Sequence, residues 1–283
     1  MTNPFSPIVT AVPQRIGADY VAHGIDLHWL IERASPLIGL TEFHSRGEPF
    51  GPRPYAGLSV ATYVFEDTHA ALRSRDSLGN DLLIEPGGLV WSTAGSGILH
   101  QDISAETGKN LHGLRLLINL GAAHKRVPPT VAQLASHDIP EWRANRSDRV
   151  RVVAGALGSI ASPLETIEPF TLLDGLLENE IEYVVPTGKN ALLYVRSGEL
   201  AIHALRHKKT VPSGKALVVR GDDHPLLIRA TRSTHFVLIA GNEIVDPIRV
   251  NGTFVMNDQA GIDSAFKRYL SGRMGSLKSL KHG

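Results

Sequence analysis

The sequence predicts an all-β protein in which two β-barrels follow each other along the chain and a short helix lies near the C-terminus. Three observations support this fold class. Short runs rich in β-branched and aromatic residues recur along the chain, the two halves share a pattern of strands and turns, and helical periodicity is scarce outside one C-terminal segment.

The predicted strands are separated by glycine and proline, of which the chain has 27 and 17. Examples in the first half are "LSVATYVFE", "DLLIEPGGLVWST" and "LHGLRLLINL", and in the second half "ALLYVRSG", "ALVVRG" and "THFVLIAG". The run "RSRDSLGNDLL" predicts a β-hairpin, because Gly79 and Asn80 suit its turn. Many short strands with regular turns are typical of sandwiches and barrels.

An internal repeat predicts two copies of one barrel unit. Tyr63 and Tyr194 lie 131 residues apart in similar strands, and Pro86 and Pro212 lie 126 residues apart in similar turns. Between the copies, a polar, proline-bounded stretch from Ala122 to Arg149 is interpreted as the connection. We therefore place one domain at residues 1–135 and the other, with the C-terminal helix, at residues 146–283.

The helix is predicted from an apolar stripe after Asn257. Apolar residues recur there at the i, i+3, i+4, i+7, i+8 spacing of one helical face, and Asn257 or Asp258 can cap the start. The residues of the stripe are Ile262, Ala265, Phe266, Tyr269 and Leu270.

Composition excludes several classes of function. The 283 residues include no cysteine, which excludes disulfides, thiolate metal sites and cysteine nucleophiles. The formal net charge of +1 gives no reason to expect a nucleic-acid partner. No apolar run reaches the length of a membrane span, and the N-terminus lacks the pattern of a secretory signal. We expect a cytoplasmic protein without a membrane partner.

Two short stretches carry the candidate chemistry. "SGILHQD" contains His100 and Asp102, which project to the same side if the segment is a strand. "GPRPYAGLSVATY" contains Arg53 and Tyr55 with the same spacing, and Pro54 favours extended geometry for the residue before it. Four polar side chains would then converge inside one barrel.

At this point the chain resembles the pirin family of the cupin superfamily. The resemblance rests on "GGLVWSTAGSGILHQD", "LHGLRLLINL" and "THFVLIAGNEIVDPIRVNGTFVMN", and it extends from about Pro36 to beyond Met256. It implies a bicupin, two cupin barrels in tandem, with the functional pocket in the N-terminal one.

The resemblance also implies one iron held by three His and one Glu. Two of these ligands come from a His-Pro-His triplet, which reads Arg53-Pro54-Tyr55 here. The other two come from an H-x-E string, which reads His100-Gln101-Asp102. One ligand is kept, one is shortened by a methylene group and two are changed in kind.

The substituted residues favour a rebuilt site without a metal. The Arg53 guanidinium stays protonated and has no lone pair for a cation, so it places a positive charge where the metal charge would be. A buried Asp102 needs a partner, and Arg53 could supply one. The alternative is a metal site of His100 and Asp102, with Tyr55 as a third ligand. Each residue also has a purely structural interpretation, such as a hydrogen-bonded histidine, a turn cap, an exposed loop arginine or a core tyrosine.

Two functions follow as hypotheses. The favoured one is a binding or regulatory protein without a cofactor, whose partner is a small anionic or aromatic ligand or another protein. The alternative is a quercetin 2,3-dioxygenase-like oxygenase that uses iron, since pirin-like proteins include such enzymes. Weaker candidate residues are His44, which lies before the changed triplet, and His112, for which a structural role is expected.

Overall fold

The computed structural model describes residues 3–16, 19–47 and 51–277. Strands dominate, which confirms the predicted all-β class with a short C-terminal helix. Up to residue 136 the elements are, in chain order, β1 (Val9–Thr10), β2 (Val12–Ile16), β3 (Tyr20–Gly24), α1 (Leu27–Arg33), β4 (Leu37–Ser45), β5 (Arg53–Tyr55), β6 (Leu58–Val64), β7 (Leu72–Asp76), β8 (Asp81–Ile84), β9 (Leu89–Thr93), β10 (Ile98–Ser104), β11 (Leu111–Asn119), a 3-10 turn (Ala122–His124) and β12 (Thr130–Leu134).

The remaining elements include two long strands that run through much of the second half of the chain. In order they are a 3-10 turn (Ser136–Asp138), β13 (Glu141–Arg143), β14 (Arg149–Ala154), β15 (Ala156–Leu157), β16 (Ile160–Ala161), β17 (Phe170–Leu177), β18 (Glu180–Val184), β19 (Lys189–Ala204), β20 (His207–Pro212), β21 (Lys215–Arg220), β22 (Pro225–Asn242), β23 (Arg249–Asn251), β24 (Phe254–Met256) and α2 (Gln259–Leu270).

The chain divides into two compact units. The first unit comprises Pro13–Ala22, Leu40–Ser136 and the chain from Ile244 onward, and the second comprises the chain up to Val12, His23–Gly39 and His137–Glu243. Both units are discontinuous in sequence, whereas the sequence analysis drew one boundary within the connector. The structure places α2 in the first unit.

The first unit is built on a seven-stranded sheet, in the order β12-β9-β6-β11-β4-β3-β2, and a four-stranded sheet, in the order β5-β10-β7-β8. Apolar side chains from both sheets form its core, including Phe43, Val64, Leu72 and Val90. The hairpin predicted around Gly79 and Asn80 is confirmed as β7–β8, and Gly79 has the positive φ of 99° that its turn requires.

The second unit is built on a nine-stranded sheet whose main path runs β1-β21-β19-β22-β17-β14-β13. Within the described residues no sheet closes on itself, so "barrel" describes these units loosely. The predicted connector, Ala122 to Arg149, contains β12, which joins the seven-stranded sheet, and β13, which joins the nine-stranded sheet.

The internal repeat corresponds to equivalent strands. Tyr63 lies on β6, which pairs with β9 and β11, and Tyr194 lies on β19, which pairs with β21 and β22 in the same arrangement. Opposite the two tyrosines stand Leu114 on β11 and Val237 on β22. This register lets positions in the two units be compared residue by residue.

The helix α2 begins as the sequence predicts. Asp258 is its N-cap, and its side chain accepts a hydrogen bond from the backbone N–H of Gly261 at 2.7 Å. Ile262 is buried, while Phe266 and Tyr269 are 38% and 39% exposed, so the predicted apolar face is only partly covered. None of the helices in the described ranges is long and apolar enough to cross a membrane.

Candidate polar site in the first unit

The site centres on Asp102, in the middle of β10. The side chain of Asp102 is 1% exposed and that of His100, two positions earlier, is 4% exposed. The strand lies between β5 and β7, and its alternation brings both side chains to one face, as predicted. A carboxylate buried to this degree must be matched by hydrogen-bond donors or charges.

Asp102 accepts hydrogen bonds from three side chains on three strands. His100 Nε2 lies 2.7 Å from Oδ1, while Thr62 Oγ1 and Arg115 Nη2 lie 2.7 and 2.9 Å from Oδ2. Burial by itself would raise the pKa of Asp102, but the charges and hydrogen bonds of His100, Arg115 and Thr62 outweigh it and hold the pKa well below its usual range. The carboxylate is therefore ionised at neutral pH.

His100 is fixed by the same network. Because an ionised carboxylate can only accept, Nε2 of His100 carries the proton that it shares with Asp102. The hydroxyl of Ser74, on the neighbouring strand β7, lies 3.0 Å from the same nitrogen. The Nε2 atom is thus engaged twice within the protein.

Arg115, on β11, supplies a positive charge to the site. Its side chain is 21% exposed, and its guanidinium lies 5.7 Å from the centre of the Phe43 ring. Burial opposes its charge, yet Asp102 in particular raises the pKa of Arg115 above its usual value. The Nε atom of Arg115 is buried and has no hydrogen-bond partner among the described residues, so one donor remains for a further acceptor.

The strand β5 places Arg53 and Tyr55 next to β10, which carries His100 and Asp102. Arg53 pairs with His100 and Tyr55 with Ile98 across the antiparallel ladder. Tyr55 is buried, with its ring centre 6.1 Å from that of His100, whereas Arg53 is exposed. Asp102 forms an ion pair with Arg115 at 2.9 Å, while the ion pair with Arg53 that the sequence suggested stays a prediction.

All four residues singled out from the sequence border one small cavity. Its lining residues are Gly51, Arg53, Tyr55, His100, Gln101, Asp102 and Arg115. The cavity measures about 10 Å³, which is room for about one water molecule. The arrangement can hold an ionised carboxylate and offer donors to one small polar group.

The donor set does not fit the metal that the family resemblance implies. Within the described ranges there is no group of three or more His, Asp or Glu side chains that could hold a metal ion. The protonated Nε2 of His100 and Oδ1 of Asp102 bond to each other, and the guanidinium of Arg115 occupies the other carboxylate oxygen. A cation here would have to displace both partners and tolerate a neighbouring positive charge.

The same positions in the second unit are apolar. Thr62 and Arg115 face each other on β6 and β11, and the tyrosine register makes Leu193 and Leu238 their equivalents on β19 and β22. Both leucines are fully buried in the core of the second unit. The second-unit equivalents of Thr62 and Arg115 thus carry no polar group.

Sequence reasoning missed Arg115, Thr62 and Ser74. Only Arg115 left a usable signal, since it is the single charged residue within the apolar run "LHGLRLLINL". A charge in a strand that otherwise reads as buried is expected to have a partner. Thr62 and Ser74 are ordinary strand residues, and nothing local marks them.

His44 and His112 form a separate cluster. Their rings stack with centres 3.9 Å apart, and His112 places its two ring nitrogens 2.8 Å from Glu42 and 2.9 Å from Asp67. Burial, followed by the neighbouring His112, lowers the pKa of His44. Neither histidine lines the Asp102 cavity, and these contacts agree with a structural role for His112.

Comparison with known proteins gives consistent matches along the chain. Residues 34–118 match the Pirin family model, and residues 172–275 match the model of the Pirin C-terminal cupin domain. Pirin-1 of Arabidopsis thaliana is 33% identical over 245 residues, which cover 85% of this chain and 83% of that protein.

Solved structures show the same fold. A crystal structure of quercetin 2,3-dioxygenase from Acinetobacter baumannii has a TM-score of 0.86 at 22% identity, covering 97% of this chain and 99% of that one. A bacterial pirin from Escherichia coli in complex with nickel(II) has a TM-score of 0.64 at 15% identity, covering 84% of this chain and 100% of that one. The fold and the matches define a two-domain cupin protein, a bicupin. The chain belongs to the pirin family.

Proposed function

We propose that this pirin-family bicupin is a binding or regulatory protein, and that its first-unit pocket engages one anionic group of a ligand or protein partner. The observation that carries the proposal is the position of Arg115, whose guanidinium bonds to Asp102 and leaves Nε–H unmatched. Arg53 and the Tyr55 hydroxyl add a charge and a polar group at the same cavity. Such donors favour an anionic acceptor.

Cavity size supports binding of a small group over oxygenation of a flavonol. Pockets that enclose drug-sized ligands measure roughly 300–1,000 Å³, whereas this cavity measures about 10 Å³. To bind a flavonol, the residues around the cavity would have to move apart, whereas a single carboxylate oxygen fits without such a change. An aromatic ligand would then place its ring outside the cavity and its polar group inside.

The alternative function is a quercetin 2,3-dioxygenase-like oxygenase that uses iron. It is favoured by the fold likeness to the Acinetobacter baumannii enzyme, and the nickel complex of the Escherichia coli pirin makes a metal in this family plausible. The donor set around Asp102 argues against it, as described above.

Both hypotheses can be tested on the whole protein. Oxygen uptake with quercetin is measured after incubation with Fe(II) or Ni(II), and the Arg115 Nε–H signal is followed by NMR of arginine-labelled protein during titration with acetate. We expect no oxygen uptake above the metal-only control, and a saturable shift of the Arg115 signal that weakens in Arg53→Met. An exposed lysine of the same unit, replaced in Lys109→Met, serves as the control and should leave the shift unchanged.

Metal-dependent oxygen uptake would overturn the proposal in favour of the oxygenase. An Arg115 signal that does not respond to acetate would overturn the anion site. A cytoplasmic location and the absence of nucleic-acid and membrane partners stay predictions, which cell fractionation and electrophoretic mobility-shift assays can test.

A further inference from the structure

The second unit contains a cavity that is much larger than the Asp102 cavity and shares no lining residue with it. It measures about 740 Å³ and is bordered by the β15–β16 hairpin, the start of β17 and the strand β18. The volume lies within the range of pockets that hold small organic molecules. All of its lining residues belong to the second unit.

We propose that this cavity binds a small organic carboxylate with an apolar body. The inference is independent of the function proposed for the first unit. Three features of the wall carry it: an apolar surface, a lysine whose ammonium has no partner within the described part of the chain, and a tyrosine hydroxyl that is positioned by a threonine.

The apolar part of the cavity wall favours a ligand with an apolar body. Leu157 and Phe170 are buried side chains at the cavity, while Val184, on β18, also lines it and is 46% exposed. Covering such carbon surface with a ring or chain removes it from water, which favours binding.

The charge of the ligand follows from a comparison of Lys189 with Glu182. Both line the cavity, and neither side chain has a hydrogen bond or ion pair to another of the described residues. Glu182 is exposed to solvent, but Lys189 is partly buried, so the Lys189 ammonium gains more from an added counter-charge. The backbone of Lys189 is held by bonds to Pro186 and Gly221 of 3.0 and 2.9 Å, which fixes where its side chain begins.

Tyr183 adds a polar group to the wall of the same cavity. Burial raises the pKa of Tyr183, so the hydroxyl stays protonated, while a hydrogen bond with Thr171 acts in the opposite direction. Both residues line the cavity, and whichever hydroxyl accepts in this bond keeps its own O–H for a further acceptor, such as a carboxylate oxygen.

Gly155 packs closely against the Thr171 end of this hydroxyl pair. Its φ is +74°, and a Cβ at this position would lie 2.5 Å from both the Phe170 carbonyl oxygen and Thr171 Oγ1. Any larger residue would push the strand end away from Thr171 or collide with it. The glycine thus allows the close approach on which the shape of this wall depends.

The test uses 2-naphthoate as the probe and 2-naphthalenemethanol as its neutral counterpart, with binding measured by isothermal titration calorimetry. We expect 2-naphthoate to bind in the micromolar to millimolar range and to bind more tightly than the alcohol. Lys189→Met should weaken 2-naphthoate binding by about tenfold or more and leave the alcohol unchanged, whereas Lys189→Arg should largely restore it. Tyr183→Phe should weaken it by about threefold.

Controls separate this site from others. Lys208→Met removes an exposed lysine of the same unit and should not change the affinity. Thermal unfolding of each variant checks that folding is intact. The proposal is overturned if 2-naphthoate does not bind, if it binds no better than the alcohol, or if Lys189→Met binds like the wild type. Binding that is lost in Arg53→Met but kept in Lys189→Met would place the probe in the first-unit pocket instead.

Discussion

At the scale of single residues, the first unit contains a buried carboxylate that is matched by a network of donors. Removing two charges from water costs several kcal/mol each, and the attraction between Asp102 and Arg115 offsets this only because the geometry is good and Thr62 and His100 bond to the same carboxylate. Removing one member of such a pair therefore lowers the stability of the fold more than removing both, because it leaves a buried charge without a partner.

Arg115→Met tests this dependence. The change leaves a buried Asp102 without its positive partner, so we expect the free energy of unfolding to fall by roughly 3–5 kcal/mol. Urea denaturation followed by circular dichroism measures the loss. The matched control is Arg73→Met, since Arg73 pairs with Asp81 at the surface and should cost about 0–1 kcal/mol. An Arg115→Met protein as stable as the wild type would show that Asp102 does not depend on this arginine.

The candidate site could be predicted only in part from the sequence. The i, i+2 spacing of His100 and Asp102 was enough to place both on one face of a strand. Arg115 was missed because β10 and β11 belong to different sheets, so the approach of Arg115 to Asp102 depends on how the two sheets pack, which no local pattern specifies. The role expected for Arg53 as the charge partner of Asp102 stays a prediction, because it depends on a side-chain direction that the sequence does not specify.

At the scale of elements, local signals predicted most strands and the α2 helix, together with its Asp258 cap. Short strands were less visible. The β12 and β13 strands lie in a polar, proline-bounded segment whose composition does not predict strands. They are strands because they pair with β9 and β14. Because these two strands depend on pairing with distant strands, the local sequence pattern was interpreted as a connector.

The turn before β14 depends on one buried acid. Asp148 Oδ1 accepts the backbone N–H groups of Glu178 and Asn179 at 2.7 and 3.0 Å, and Oδ2 accepts the side-chain amides of Asn145 and Asn179 at 2.8 Å. Burial would raise the pKa of Asp148, but these donors lower it below the usual value. The bonds join two neighbouring turns of the second unit.

Asp148→Asn should lower the free energy of unfolding at pH 7 by roughly 2–3 kcal/mol, because an amide cannot accept all four bonds as a carboxylate does. Since the folded pKa is depressed, the advantage of the wild type is present above the unfolded value of about 3.9 and declines as the pH falls below it. Urea denaturation at a series of pH values measures this. A difference between the two proteins that is constant down to strongly acidic pH would contradict the assignment.

At the scale of the whole molecule, the two halves share strand order but differ in what fills their interiors. The repeat that the sequence predicted is seen in the equivalent positions of Tyr63 and Tyr194. The discontinuity of the units was not predictable, because pairing of the N-terminal β1 with β21 and the inclusion of α2 in the first unit are long-range features. Chain order alone suggests a simple tandem arrangement.

Lys125 links the C-terminal segment to the rest of the first unit. Its ammonium is buried and donates to the carbonyl oxygens of Gly57 and Val255 at 2.8 and 2.9 Å and to the side chain of Asn119. Lys125→Met would leave these acceptors unmatched, and we expect a loss of about 3 kcal/mol or more. Thermal unfolding measures it, with Lys109→Met at an exposed site as the control. Equal stability of the two variants would count against this link.

The central claim is that Arg115 and the His100–Asp102 hydrogen bond stand where the family resemblance implies a metal. The most direct measurement is the metal content of the wild-type protein, produced with iron and nickel in the medium, purified without chelator and analysed by mass spectrometry. We expect far less than one metal ion per chain, because the donor set offers too few free ligands beside a fixed positive charge. A content near one ion per chain, lost on removal of His100 and Asp102, would contradict the claim.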